Sequence, residues 1–202
     1  MVSVTSFRQN QLFSLFDCLD KFERSIEVLC LLSEEICEAI PKLVWYGIDS
    51  KLGSSLLVTS PVCEFPLSNL ALPTEDVAIK KIISQLKSAI SLLHKHNLVY
   101  WDWRLSNICL SGDSIANLQA VLVDFNSCQR VHERATNVRF HIKFCPIRAS
   151  LHHFFSPQFE DDFEGICYIE EYLQRGTLPW MENDVLEEIV MKKKSWLNYK
   201  HM

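Results

Sequence analysis

The sequence predicts an α+β fold in two unequal parts, a small helix-and-hairpin unit followed by a larger, mainly helical one. Three observations predict it. A helical apolar pattern precedes two short strand-like runs, prolines interrupt both periodicities at residues 61–66, and helical patterns dominate the remainder. The 202 residues suffice for one good core or two small lobes. The parts they define are residues 1–60, a hinge at 61–66, and residues 67–202.

Composition narrows the class. Hydrophobic residues at 48% with 22% charged residues indicate a soluble globular chain, and a net charge of −5 argues against a nucleic-acid partner. No apolar run has transmembrane length, and the start lacks the basic-then-apolar form of a signal peptide. The eight cysteines include no C-x-x-C pair and no histidine at zinc spacing, so buried reduced thiols and a cytoplasmic or nuclear location are expected.

Residues 1–20 carry apolar positions but no clear element. Phe22 to Ile40 turns helical, with Ile26, Leu29, Leu32 and Ile36 as its stripe, and Ile40-Pro41 ends it. Leu43–Tyr46 and Ser55–Thr59 form a hairpin around Gly47–Gly53. A short helix at Leu67–Leu70 follows the proline-broken connector. Thr74-Glu75-Asp76 then offers an N-cap for a helix reaching about Lys95, whose face is Val77, Ile79, Ile82, Ile83, Leu86, Ile90, Leu92 and Leu93.

Beyond it, strands at Asn107–Leu110 and Ala120–Val123 flank the turn Ser111-Gly112-Asp113. Residues 126–156 lose periodicity and are rich in basic and aromatic side chains: Arg130, Arg134, Arg139, Phe140, Lys143, Phe144 and Arg148. That loop could bind a phosphorylated substrate or be ordinary solvated surface. Asp161-Asp162 opens an apolar helix, Phe163–Leu173, that must be buried and that Arg175-Gly176 closes. A charged amphipathic helix at about 183–194 ends the pattern, with Lys192-Lys193-Lys194 as a surface run.

The chemistry concentrates in Tyr100-Trp101-Asp102-Trp103-Arg104-Leu105-Ser106-Asn107 and in Val121-Leu122-Val123-Asp124-Phe125. An aspartate, a basic residue two places on and an asparagine five places on share a tight loop, and an apolar run ending in Asp-Phe follows. That order suits phosphoryl transfer. Asp102 orients or deprotonates a hydroxyl, Arg104 steadies the transferring phosphate, and Asn107 with Asp124 holds Mg²⁺ against the phosphates of ATP. The bland alternatives are that Asp102 caps a turn and that Arg104 only braces it. His94, His96, His152 and His153 tempt a metal reading, but no acidic or cysteine partner sits at ligand spacing, so structural or solvated histidines are expected.

These residues resemble the protein-kinase superfamily, and within it the casein kinase 1 and vaccinia-related kinase branch. The catalytic-loop pattern H-R-D-x-K-P-x-N is similar to residues 100–107, and D-F-G to Asp124-Phe125-Asn126. Asp161-Asp162-Phe163-Glu164-Gly165-Ile166-Cys167-Tyr168 through Gly176-Thr177-Leu178-Pro179-Trp180 is similar, without a gap, to the casein kinase 1 run D-D-L-E-S-L-G-Y…G-S-L-P-W. Ile40–Gly47 resembles the branch's I-P-x-x-x-W-x-G strand.

The resemblance implies a kinase-like fold with a reduced N-lobe at 1–60, a C-lobe at 67–202, and Asp162 accepting hydrogen bonds from the catalytic-loop backbone. Arg104 favours Ser/Thr over Tyr acceptors. Departures qualify the activity. About twenty residues precede the first helix, with no glycine and no lysine before Lys21, so the Gly-rich loop and strand lysine are missing. The paired glutamate falls at Glu23 or Ser25. Val77-Ala78-Ile79-Lys80 spells the strand-lysine motif but lies on a later helix, and Trp101 replaces the arginine that clamps a phosphorylated loop in relatives.

The expectation is a divergent, N-terminally truncated, C-terminally shortened kinase-like protein, weak or inactive in ATP-dependent phosphotransfer to a protein substrate. The alternative is a pseudokinase module that binds a partner protein. No membrane association is expected. A shortened C-lobe would leave part of the Phe163–Leu173 neighbourhood exposed or covered by a partner.

Overall fold

The computed structural model describes residues 3–8, 11–16, 19–49, 54–61, 64–72, 74–133, 141–151 and 156–200. Two strands form where the sequence suggests no element. β1 (Ser3–Arg8) and β2 (Gln11–Phe16) pair antiparallel, and β2 also pairs with β4 (Ser54–Ser60), whose other edge carries β3 (Lys42–Asp49). The order β1-β2-β4-β3 satisfies both edges of β4, a requirement that local sequence around β2 does not display.

α1 (Leu19–Leu31) stops well before Ile40. Its inward residues are Phe22, Ser25, Val28 and Leu29, with Leu32 just beyond, while Ile36 is 92% exposed and lies in irregular chain beyond the helix. The apolar stripe therefore ends one turn earlier than its spacing suggests. Phe22 seats the helix on the sheet, with its ring 5.5 Å from Phe16 and 6.4 Å from Tyr46.

The second part follows β5 (Phe65–Pro66) and a single 3-10 turn at Leu67–Asn69. α2 (Asp76–Lys95) buries Ala78, Ile79, Ile82, Ile83, Leu86, Ala89, Ile90 and Leu93, whereas Val77 faces solvent. Thr74 does not cap this helix: its hydroxyl donates to Ala71 O at 3.1 Å, and Glu75 occupies the cap position without a side-chain bond. β6 (Leu98–Val99) and β9 (Gln129–Arg130) pair across the polar loop, and β7 (Ile108–Ser111) with β8 (Gln119–Leu122) forms the expected strand pair beside β5. The described part of the aperiodic region includes a short helix, α3 (Ile147–Leu151). Arg134, Arg139, Phe140, His152 and His153 lie outside the described residues.

α4 (Phe159–Arg175) begins before Asp161 because Gln158 and Asp161 make a capping box, Gln158 N–H donating to Asp161 Oδ2 at 2.8 Å. Gly176, at φ +74°, closes the helix through its N–H to Tyr172 O at 2.8 Å. The exposure expected around α4 does not occur at its inner face, where Ile166, Tyr168, Ile169 and Leu173 are buried. α5 (Leu186–Lys200) covers it through an aromatic trio, with Tyr168 at 4.9 Å from Trp180 and 5.5 Å from Trp196. Phe163 is half exposed, and the larger apolar exposure lies on α5 at Met191 and Tyr199.

The lysine run is not a surface run throughout. Successive helical residues turn by about 100°, and Lys193 points inward, 0% exposed, donating to Ile142 O at 2.8 Å and Cys145 O at 2.5 Å. Of the six described cysteines, Cys109, Cys128 and Cys145 are buried while Cys30 and Cys167 are exposed. No described helix is long and apolar enough to cross a membrane.

One apolar core runs from Phe16, Phe22 and Leu57 through α2 to Tyr168, Trp180 and Ile189. Leu122 N–H donates to Ala39 O at 2.9 Å and Lys95 pairs with Glu35 at 2.6 Å, so the two parts are also joined by polar contacts. The tightest fit is between Trp103 and Gly165, where a Cβ would lie 2.3 Å from Trp103 Cδ1. Gly165→Ala should therefore cost about 2 kcal/mol through overpacking and lower the melting temperature by roughly 4–8 °C, measured by calorimetry.

Candidate active site

Asp162, in the first turn of α4 and 0% exposed, holds the polar loop in place. Its Oδ1 accepts from Trp101 N–H at 2.9 Å and Trp103 Nε1–H at 2.8 Å. Its Oδ2 accepts from Tyr100 N–H at 2.9 Å and bonds His94 Nε2 at 2.9 Å. These contacts fix Trp101 in the left-handed region at φ +74°, a conformation costly for a bulky residue. Tyr100 then donates its hydroxyl to Val123 O at 2.5 Å, and Val123 N–H donates to Asn107 O at 2.9 Å. Those two bonds bring the Asp124 segment against the loop.

Asp102 is buried. Its Oδ1 accepts from Arg104 Nε at 2.8 Å and Nη2 at 2.5 Å, and its Oδ2 accepts from Asn107 Nδ2 at 3.2 Å. Asn107 Nδ2 also reaches Asp102 O at 3.1 Å. Arg104 thus braces the Asp102 carboxylate. Asp124, at φ +64°, begins a 3-10 turn (Phe125–Ser127), and Asn126 donates to its Oδ1 through both the backbone N–H and the side-chain amide. Asparagine replaces the expected glycine without needing positive φ itself; Asp124 carries it.

The two carboxylates sense each other. Burial raises the pKa of Asp102, with Arg104 and Asn107 opposing the shift. Burial and then the Asp102 charge raise Asp124 to about 6. His141, which sequence reading missed, lies within reach of the charges of Asp102 and Arg104; burial, and then Arg104, lowers its pKa. It stands about forty residues from the motif in sequence, and no local pattern flags it.

A buried and a half-buried carboxylate beside an amide are hard oxygen donors of the kind that suit Mg²⁺ sharing ligands with substrate phosphates. The described residues contain no cluster of three or more His, Cys, Asp or Glu able to hold a metal alone. Asp124 and Asn107 supply oxygen donors that would hold a Mg²⁺ ion whose remaining ligands come from a phosphate, where it would neutralise phosphate charge.

Other candidate positions separate clearly. Glu23 faces solvent, whereas Ser25 is buried with no hydrogen-bond partner for its hydroxyl among the described residues. Lys80 lies exposed on α2. His94 is held by Asp162 and His96 by Glu35 at 3.2 Å. Arg130 pairs with Glu27 at 3.2 Å, Lys143 with Asp184 at 3.8 Å and Arg148 with Asp161 at 3.1 Å. The described part of the basic loop is thus knitted into the fold.

Two outcomes follow from this geometry. Asp162→Asn places an NH₂ where two donors already converge, and should destabilise the chain by about 2–4 kcal/mol in urea unfolding. Asp124 works the other way. Its folded pKa is raised from 3.8 to about 6, so between those values the folded chain binds more protons than the unfolded one. Stability from this group therefore falls as pH rises through that window, by about 3 kcal/mol at most. Asp124→Asn should stabilise the ligand-free chain at pH 7.5, with the gain fading below pH 5, as read from urea melts at the two pH values.

No protein-family model matches the chain. Among solved structures it is similar to the PK-1 kinase of Cydia pomonella granulovirus, with a TM-score of 0.70 and 19% sequence identity over 93% of this chain and 69% of that kinase. At that identity the likeness establishes the fold. The chain has a protein-kinase fold, mixed α and β, with a reduced sheet lobe.

Proposed function

We propose that the chain is a divergent casein kinase 1-like protein that binds ATP with Mg²⁺ and transfers the γ-phosphoryl group slowly to Ser or Thr of a protein substrate. The observation carrying this reading is the gathering of Asp102, Asn107 and Asp124 at one buried site, with both carboxylates raised by burial. In it, Asp102 accepts or orients the hydroxyl proton, Arg104 keeps Asp102 charged and aimed, and Asn107 and Asp124 face the metal. The uninterrupted run from Asp161 to Trp180 supports the branch.

Slow turnover follows from what the sheet lacks. β2 carries no basic residue, and Ser25 rather than a glutamate faces inward from α1. A nucleotide held less firmly than in a complete site drifts, and a misplacement of about 1 Å costs on the order of 10²-fold in rate. The same observation favours a second reading, a pseudokinase that uses this fold to bind a partner protein without phosphotransfer.

The deciding experiment combines a thermal-shift titration with a phosphotransfer assay on dephosphorylated casein. Saturation by ATP–Mg²⁺ at 100 times the dissociation constant should add roughly 2.7 kcal/mol of stability. Slow transfer should then fall by about 10²-fold or more in Asp102→Asn. Stabilisation with no transfer above the Asp102→Asn background would select the pseudokinase. Neither stabilisation nor transfer would reject a nucleotide site altogether.

A further inference from the structure

The site as described is short of positive charge. Asp102 is buried and Asp124 half-buried, and the cations whose charge bears on Asp124 are Arg104 and Lys21. Arg104 already makes two bonds to Asp102. Lys21 makes no hydrogen bond or ion pair among the described residues and is half-buried on the first turn of α1.

Helix register explains why Lys21 faces this way. α1 packs along the turn at Phe125–Ser127. Lys21 and Ser25, four residues apart, share one stripe of the helix, and Ser25 is buried with no hydrogen-bond partner for its hydroxyl among the described residues. One turn along, the charge of Arg24 bears on Cys128 as that of Lys21 bears on Asp124. Arg24 is engaged by Glu27 at 2.9 Å, which leaves Lys21 as the uncommitted ammonium on this face among the described residues.

We propose, building on the nucleotide-site reading above, that Lys21 is the positioning cation for the polyphosphate of the bound nucleotide. It supplies from a helix the charge that β2 does not carry. Its long, flexible stem lets the ammonium follow an anion brought to Asp124, and a point charge of this kind suits phosphate oxygens.

Isothermal titration of the full chain with ATP–Mg²⁺, ADP–Mg²⁺ and adenosine tests it, comparing wild type with Lys21→Met, Lys21→Gln and Lys21→Arg, and with Lys80→Met as an exposed-lysine control. Losing one charge-assisted phosphate contact should weaken ATP about tenfold or more in Lys21→Met and Lys21→Gln. Adenosine should bind within about twofold of wild type, and Lys21→Arg should restore ATP to within about threefold. Lys80→Met should change nothing.

ATP affinity unchanged in both neutral variants of Lys21, with wild type binding normally, would overturn the role of Lys21 and leave the nucleotide site standing. Equal loss of adenosine and ATP in both variants would also overturn it, because the effect would not be on phosphate. A wild-type chain that binds none of the three ligands would overturn the site and the lysine together.

Discussion

A single buried carboxylate organises the functional half of this molecule. Asp162 has two oxygens and four partners, drawn from α2 and from three residues of the polar loop. Removing a carboxylate from water is expensive unless its lone pairs are filled. Here they are filled, and the first turn of α4 adds the favourable end of a helix dipole. The loop gains as much as the carboxylate does. Two consecutive backbone N–H groups converge on one side chain only if the chain bends sharply between them, and that bend is the left-handed Trp101. From it follow the direction of Asp102, the bond from Tyr100 to Val123, and so the placement of Asp124.

Local pattern made some of this legible and geometry hid the rest. The long helix α2, the hairpin β3–β4 and the strand pair β7–β8 announce themselves because their periodicity is satisfied by neighbours close in sequence. The loop residues from Asp102 to Asn107 are legible for a related reason, since their chemistry depends on spacings of two and five. What sequence concealed depends on distant partners. β2 is a strand because β4 needs a neighbour. Gly165 is a glycine because Trp103 lies across it, and Lys193 is buried because carbonyls of Ile142 and Cys145 wait for a donor. Neither member of these pairs signals the other. The early end of α1 was hidden by Ile36, an apolar residue at helical spacing that the fold leaves in solvent.

The site concentrates unfavourable terms that the surrounding packing sustains. Two non-glycine residues sit at positive φ beside two carboxylates that burial pushes toward protonation. Such features persist only where neighbours over-determine them. Tyr100 does much of that work, its ring 5.1 Å from Trp103 and 5.9 Å from Phe125 while its hydroxyl ties down Val123. The aromatic stack stabilises the same residues that the electrostatics destabilise. A neutral residue at Asp124 would relieve the fold, while the Asn126 hydrogen bond and the charges of Arg104 and Lys21 partly offset the cost of the carboxylate.

Trp101 also sets how the 141–151 segment is held. It packs with Val99, Cys145 and Ala149 in a small apolar cluster, with Val131 and Phe159 at its margin. Three polar contacts reinforce it: Lys193 on the carbonyls of Ile142 and Cys145, Glu164 accepting from Ile147 N–H at 2.6 Å, and Arg148 on Asp161. Lys193 also lies 4.9 Å from the centre of the Tyr168 ring, so the segment is tied to the aromatic trio that joins α4 and α5. The segment's position is therefore set by core packing and not by a surface charge. Because Trp101 belongs both to this cluster and to the bend that Asp162 imposes, the segment and the loop carrying Asp102 are held by one residue.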